Sequence, residues 1–333
     1  MLNALLELGL FASKSLIILF IILAILIVFF MLLAKGKEKI KGRLTVKNLN
    51  EKYKENKETL LLETVDAAAY KKILKDKKKA EKAAKKAKTQ PESKKIYVLN
   101  FQGDMKASAV SALREEITTI LSVATPNDEI ILRLESPGGM VHGYGLAAAQ
   151  LMRIRARNIP LTVTIDRVAA SGGYMMACIA NKILCSPFAI VGSIGVIVQL
   201  PNFHRLLKDK HIDFEQQTAG EFKRTLTIFG ENTEEGRQKL QQEIEDIHQL
   251  FKNLIVEYRP KIDIQQVATG EHWLGQQALA FNLVDEIKTS DEYLFEKSTT
   301  GKLFEVCYEI KKPLSNRLFA GASVWIENLI RRF

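Results

Sequence analysis

Ser171 stands in Ala169-Ala170-Ser171-Gly172-Gly173, between an apolar, β-rich run at 161–165 (LTVTI) and a stretch from Tyr174 to Ala180 that begins a helix. A strand-to-helix turn leaves the first helical amides without partners. Glycines let a ligand come close to the backbone. A hydroxyl at such a turn can attack a carbonyl while neighbouring amides hold the developing oxyanion. A serine there can equally be only a helix N-cap, and S-G-G alone does not separate the two readings. A second turn has the same grammar. Ser136-Pro137-Gly138-Gly139 closes the buried-strand run 129–134 (EIILRL) and leads into a helix with apolar positions at Leu146, Ala149, Leu151, Met152 and Ile154.

A serine nucleophile needs a base. The histidines are His142, His204, His211, His248 and His272, and none has a distinctive local setting; His142 follows Gly138-Gly139 most closely. A lysine can do the same work, provided its reference pKa of about 10.4 is lowered by burial in apolar surroundings. Lys223 lies between Phe222 and Leu226 in GEFKRTL, residues 220–226. Solvent exposure is the ordinary state of a lysine, so the base stays open at this point. Cys178, Cys185 and Cys307 contain no C-x-x-C pair and supply neither a zinc site nor a disulfide framework. No metal or organic cofactor is suggested.

These residues must be held by a folded domain, and 333 residues with 47% apolar content suffice for one. The net charge of +10 is unevenly spread: residues 35–95 hold 21 Lys/Arg against 9 Asp/Glu, and residues 96–333 hold 26 against 28. A nearly neutral folded part argues against nucleic acid as a partner. The basic excess adjoins residues 15–34, which carry no charge and are mostly Leu, Ile, Val and Phe. Twenty helical residues span roughly 30 Å, the thickness of a bilayer core. The run is too long for a signal-peptide core, and its basic residues follow it, so it reads as a retained anchor. Beside it, anionic headgroups suit the lysines.

The chain then divides into an anchor over 1–34, a Lys-rich tether over 35–95, a domain over 96–290 and an extension over 291–333. Within the tether, Tyr70 to Lys88 has helix formers and almost no apolar face. Strands at 95–101, 129–134 and 161–165 alternate with helices, including one over Val110 to Leu121, which indicates a layered α/β fold. Residues 191–200 read as a loop plus a core strand. Residues 318–333 carry apolar and basic positions at helical spacing, fitting a membrane surface or a partner subunit.

Five blocks in order resemble the signal peptide peptidase A family: ESPGG at 135–139, AASGGY at 169–174, GSIGVI at 192–197, GEFKRTL at 220–226 and GEHWLGQQALAFNLVDEI at 270–287. They cover about residues 96–290, and the anchor with its Lys-rich region resembles the single-domain SohB-type branch. The resemblance implies a serine endopeptidase with a Ser-Lys dyad on the fold of Clp protease and the crotonases. It maps Ser171 to the nucleophile, Lys223 to the base, Ser193 to a hydroxyl that orients the base, and Gly138 to an oxyanion amide helped by Gly172. It further implies a homo-oligomeric ring with dyads shared between neighbouring protomers, and apolar unfolded peptides, such as signal-peptide remnants, as substrates. The location it implies is the bacterial inner membrane. Better-known members work on its extracytoplasmic side, whereas Lys35, Lys37, Lys39, Lys41 and Arg43 after the span favour a cytoplasmic domain. The rival readings are a peptidase-like membrane scaffold without turnover and a crotonase-type acyl-CoA enzyme that would need neither Ser171 nor Lys223.

Overall fold

The computed structural model describes residues 13–23, 26, 42–86 and 94–309. One compact unit runs from Leu44 to Glu309. Apart from it, residues 13–23 form a helix, α1, whose side chains from Leu16 to Leu23 are all exposed. Among the described residues no helix is long and apolar enough to cross a membrane. Much of the expected span at 15–34, and all of the expected C-terminal helix at 318–333, lie outside the described residues.

The unit is built on a seven-stranded sheet in the order β1-β10-β2-β3-β4-β6-β9, with β1 (Arg43–Asn48) and β9 (Glu286–Ile287) at its edges and β10 (Lys302–Glu309) beside β1. Its centre comprises β2 (Lys95–Gln102), β3 (Glu129–Glu135), β4 (Leu161–Ile165) and β6 (Lys182–Cys185), all parallel. Strands buried on both faces read as nearly unbroken apolar runs, and the packing follows that rule. Tyr97, Leu99 and Phe101 of β2, with Ile130, Leu132 and Leu134 of β3, point into the larger core. The alternate residues Ile96, Val98 and Ile131 point to the other face. The larger core is covered by α4 (Val110–Leu121), α5 (Val141–Arg155) and α6 (Gly172–Ala177). Leu49 of α2 (Leu49–Thr64) and Tyr293 and Leu294 of α11 (Ser290–Thr300) cover the smaller one. A second sheet of three short strands, β5 (Val168–Ala170), β7 (Ile190–Gly192) and β8 (His272–Leu274), carries the turn at Ser171.

The layered α/β expectation holds, and the strand at 161–165 and the helix at 110–121 have the expected limits. The folded unit extends past both expected boundaries, 96 and 290. At the start, β1 (Arg43–Asn48) joins the sheet edge, and Asn50 of α2 donates to Ser298 O at 2.9 Å and Gly301 O at 3.0 Å. At the end, β10 (Lys302–Glu309) inserts between β1 and β2. Within the Lys-rich stretch, a packed strand and helix thus precede α3 (Ala67–Lys86). Non-local strand pairing decides this, and it leaves little trace in local composition.

On α4, Glu116 occupies an inward position and is almost wholly buried. One carboxylate oxygen accepts the Tyr308 N–H at 2.8 Å and the other has no partner. Burial outweighs that hydrogen bond and pushes its pKa up to about 6. A carboxyl raised above its unfolded value favours the protonated folded state. Stability is therefore greatest below about pH 4.5 and falls as the pH rises through 6, by about 2 kcal/mol in all. Thermal melting of the full chain with Glu116→Gln should lose this slope between pH 7.5 and 5. If both proteins change in parallel over that range, the assignment fails.

Candidate active site

Two turns meet beside the small sheet. Where β3 ends, the Ser136 N–H donates to Val168 O at 2.9 Å and Ser136 O accepts the Ala170 N–H at 3.0 Å. This pair of bonds ties the ESPGG turn to β5 just before Ser171. Gly138 has φ +93°, a region that favours glycine. A Cβ on it would lie 2.7 Å from Ser171 Cβ and 2.9 Å from Gly172 N, so only a bare backbone can come this close. The structure thus brings Ser171, Gly138 and Gly172 together.

Ser171 has φ +52° and ψ −118°, a conformation rare for a residue with a side chain. Its surroundings hold it there. The Ser171 N–H donates to Gly192 O at 2.8 Å, and Ser171 O accepts the Met175 N–H of α6 at 2.9 Å. Strain kept by surrounding structure is a reason to suspect function. Next to it, β7 pairs in parallel with β5, Gly192 opposite Ala170. Ser193 leaves β7 as Ser171 leaves β5, also at φ +52°, with its N–H bound to Glu271 O at 2.7 Å. Parallel pairing therefore delivers the two serines from adjacent strand ends.

Ser171 opens into a cleft of about 70 Å³ lined by Gly139, Val141, Gly172, Met175, Gly195, Val196, Ile197, Ile247 and Phe251. Its walls mix glycine backbone with the apolar side chains of Val141, Met175, Val196, Ile197, Ile247 and Phe251. The first turn contributes Gly139, not Gly138. The Gly138 N–H points inward and donates to Ser136 Oγ at 3.1 Å, so it is not offered to the cleft as expected. The Gly139 N–H has no partner among the described residues, and Gly172, the first residue of α6, has no intrahelical acceptor.

Lys223 is not brought to this cleft. It is exposed, on the irregular stretch before α8 (Glu234–Tyr258), and its N–H donates to Gly220 O at 3.2 Å. The segment between β7 and α8 exposes large apolar side chains, among them Ile197 (76%), Leu206, on a short helix at His204–Asp209, and Phe222 (47%). None of the five histidines lines the cleft. His142 is exposed in the first turn of α5, and His272, opposite Gly192 on β8, is exposed as well. Burial pushes the Cys178 and Cys185 thiols up to about 12, which removes them as nucleophiles. Among the described residues no group of three or more His, Cys, Asp or Glu could hold a metal ion.

Sequence reasoning missed Gly139 and the contribution of α8. The signal for α8 was present: Leu240, Ile244, Ile247 and Phe251 recur at helical spacing.

Residues 3–151 match the profile of "Peptidase family S49 N-terminal" and residues 153–303 that of "Peptidase family S49". The chain is 48% identical to "Probable protease SohB" of Haemophilus influenzae, over 98% of its own length and 95% of that protein. It is 46% identical to a protein of the same description from Buchnera aphidicola subsp. Acyrthosiphon pisum, over 96% and 95%. Among solved structures, a mutant of the "1510-N membrane-bound stomatin-specific protease" aligns with TM-score 0.42 and 16% identity, covering 62% of this chain and 86% of that one.

Proposed function

The chain belongs to peptidase family S49, a family of proteases, and from that premise we propose that it is a membrane-anchored serine endopeptidase whose dyad is Ser171 and Lys223. The observation that carries the reading is Ser171 itself, strained at a strand-to-helix turn and opening into a cleft lined by glycine backbone and apolar side chains.

Neutral Lys223 Nζ takes the proton from Ser171 Oγ as the oxygen attacks a peptide carbonyl. The amides of Gly139 and Gly172 hold the oxyanion. Protonated Lys223 gives its proton to the leaving amine. Water, activated by the same lysine, then releases the acyl group from Ser171. The Ser193 hydroxyl orients the lysine.

Lys223 is supplied by a neighbouring copy of the chain. The lysine lies exposed on a stretch studded with exposed apolar side chains, a surface suited to burial against another protomer. A lysine becomes a base at neutral pH when burial disfavours its charged form, so assembly would complete the site and activate it together. Ring assembly, anchoring through residues 15–34 in the bacterial inner membrane, and apolar unfolded peptides as substrates belong to the same reading.

The test is incubation of the detergent-solubilised full chain with fluorogenic apolar peptides and with a fluorophosphonate. Hydrolysis together with covalent labelling at Ser171, located by peptide mass spectrometry, is the expected result. An oligomer that neither cleaves peptides nor takes the label at Ser171 would return the scaffold reading to first place.

A further inference from the structure

Resting on the reading of Ser171 as the nucleophile, we propose that Ser136 and Tyr144 are positioning residues. Together they form a buried hydrogen-bonded strut that sets the Gly138–Gly139 turn for oxyanion stabilisation. Three bonds compose it. The Gly138 N–H donates to Ser136 Oγ at 3.1 Å, Ser136 Oγ lies 2.5 Å from Tyr144 Oη, and Tyr144 Oη donates to Asp104 O at 2.8 Å. Counting protons gives the chain a single direction. A phenol has one proton, and Asp104 O can only accept. Tyr144 Oη must therefore accept from Ser136, whose own oxygen keeps a lone pair for the Gly138 amide. Each hydroxyl donates once and accepts once, and every bond points from the turn toward the Asp104 loop.

Both ends of the strut are anchored. Ser136 is fully buried and its backbone is bonded to β5 on both sides. Asp104 belongs to a loop closed on itself, its carboxylate accepting from Ser108 N at 2.8 Å and Ser108 Oγ at 2.6 Å. That loop also supports the far side of the turn, where Met105 O accepts the Met140 N–H at 2.8 Å.

A buried tyrosine with a satisfied hydroxyl is commonplace. This one touches both halves of the oxyanion site. Its hydroxyl reaches the Gly138 amide through Ser136, and the next residue, Gly139, lines the cleft with its N–H unpartnered among the described residues. Its ring, fully buried and edge-on to Phe101, lies against Gly172, where a Cβ would run into it. Removing the phenol oxygen keeps the ring under Gly172 and cuts the link to Gly138. The cost should then fall on the step that forms the oxyanion and not on peptide binding.

The measurements are kcat and KM on a fluorogenic apolar peptide, with binding of a peptide aldehyde, whose Ser171 adduct carries the oxyanion, beside binding of the corresponding ground-state amide. In the full-length oligomer, Tyr144→Phe should lower kcat about ten- to a hundredfold, the scale of a small misplacement of catalytic groups. KM and amide binding should change by less than about twofold, while aldehyde affinity falls in step with kcat. Ser136→Ala should do the same, and the double variant should be little worse than either, because both interrupt one chain. A folded variant of either kind with wild-type kcat, or with a loss confined to KM, overturns the proposal. If Tyr144→Phe does not fold, Ser136→Ala decides. Wild-type protein that neither cleaves nor binds the aldehyde sinks the peptidase reading and this proposal with it; an active wild type with unaffected variants sinks this proposal alone.

Discussion

Ser171→Ala and Lys223→Ala are each expected to lower peptide hydrolysis by about a thousandfold or more, because removing either member of a unit that acts together removes most of its effect. The informative experiment mixes them. When each active site takes its serine from one protomer and its lysine from the next, a ring containing both variants regains sites that have both groups. For random one-to-one mixing in a closed ring with one such interface per site, activity should recover to about one quarter of wild type. A dyad made within one chain would recover nothing, since every chain would lack one member. Lys223 stands away from the Ser171 cleft in the single chain, which makes recovery the expected outcome. Full activity of Lys223→Ala would instead require another base, with His142, one residue from the cleft-lining Val141, the first to replace.

The largest effect on stability is expected at Glu129, far from this chemistry. Its carboxylate is buried at the start of β3 and accepts from Lys297 at 2.8 Å, Lys94 at 3.0 Å, Tyr293 Oη at 2.7 Å and Thr162 Oγ1 at 3.0 Å. These groups come from α11, the segment before β2, and β4, so one side chain fastens four parts of the unit. Burial alone would raise its pKa, but the hydrogen bonds from Lys297, Tyr293 and Lys94 outweigh burial and hold it at about 2. A carboxylate depressed in the folded state contributes stability above its unfolded value of about 4.5, and that contribution is lost as the pH falls toward 2. Glu129→Ala should cost about 3 kcal/mol at pH 7, since it leaves two lysines and two hydroxyls without their shared acceptor. Lys94 is partly exposed and can be rehydrated, which keeps the figure from being larger. The thermal midpoint should drop by roughly 5–10 °C, and the variant should lose the wild type's steep acid destabilisation below pH 4.5. A midpoint unchanged at pH 7 would mean that the network adds nothing beyond what water supplies.

Glu116 and Glu129 act in opposite directions although both are buried. The outcome depends on partner count. Glu129 has four donors, two of them charged, whereas Glu116 has one amide and an unpartnered oxygen. Neither arrangement is visible in local sequence, because Lys297, Tyr293 and Tyr308 lie far along the chain.

Much of the central sheet was legible from residues alone. Strands buried on both faces are mostly apolar, so 129–134 and 161–165 read as strands despite Glu129, Arg133, Thr162 and Thr164, and Gly-Gly marked the turn that follows each, with β5 intervening before the second. The outer strands were not legible. β1 and β10 become strands by joining an existing edge, and the apolar residues of β10 are interrupted by Glu305.

By itself, the sequence determined the layered α/β class, the position of Ser171 at a strand-to-helix turn, and the motif blocks that point to a peptidase, because each depends on short-range patterning. Tertiary structure alone decided how the first turn is held beside that serine. Ser136 Oγ accepts the Gly138 N–H and bonds Tyr144 Oη, while Gly139 lines the cleft, an arrangement that spans eight residues and a helix. The fold also decided that Lys223 is exposed and does not line the Ser171 cleft in one chain. Spacing along a polypeptide does not specify which copy of the chain a side chain will meet.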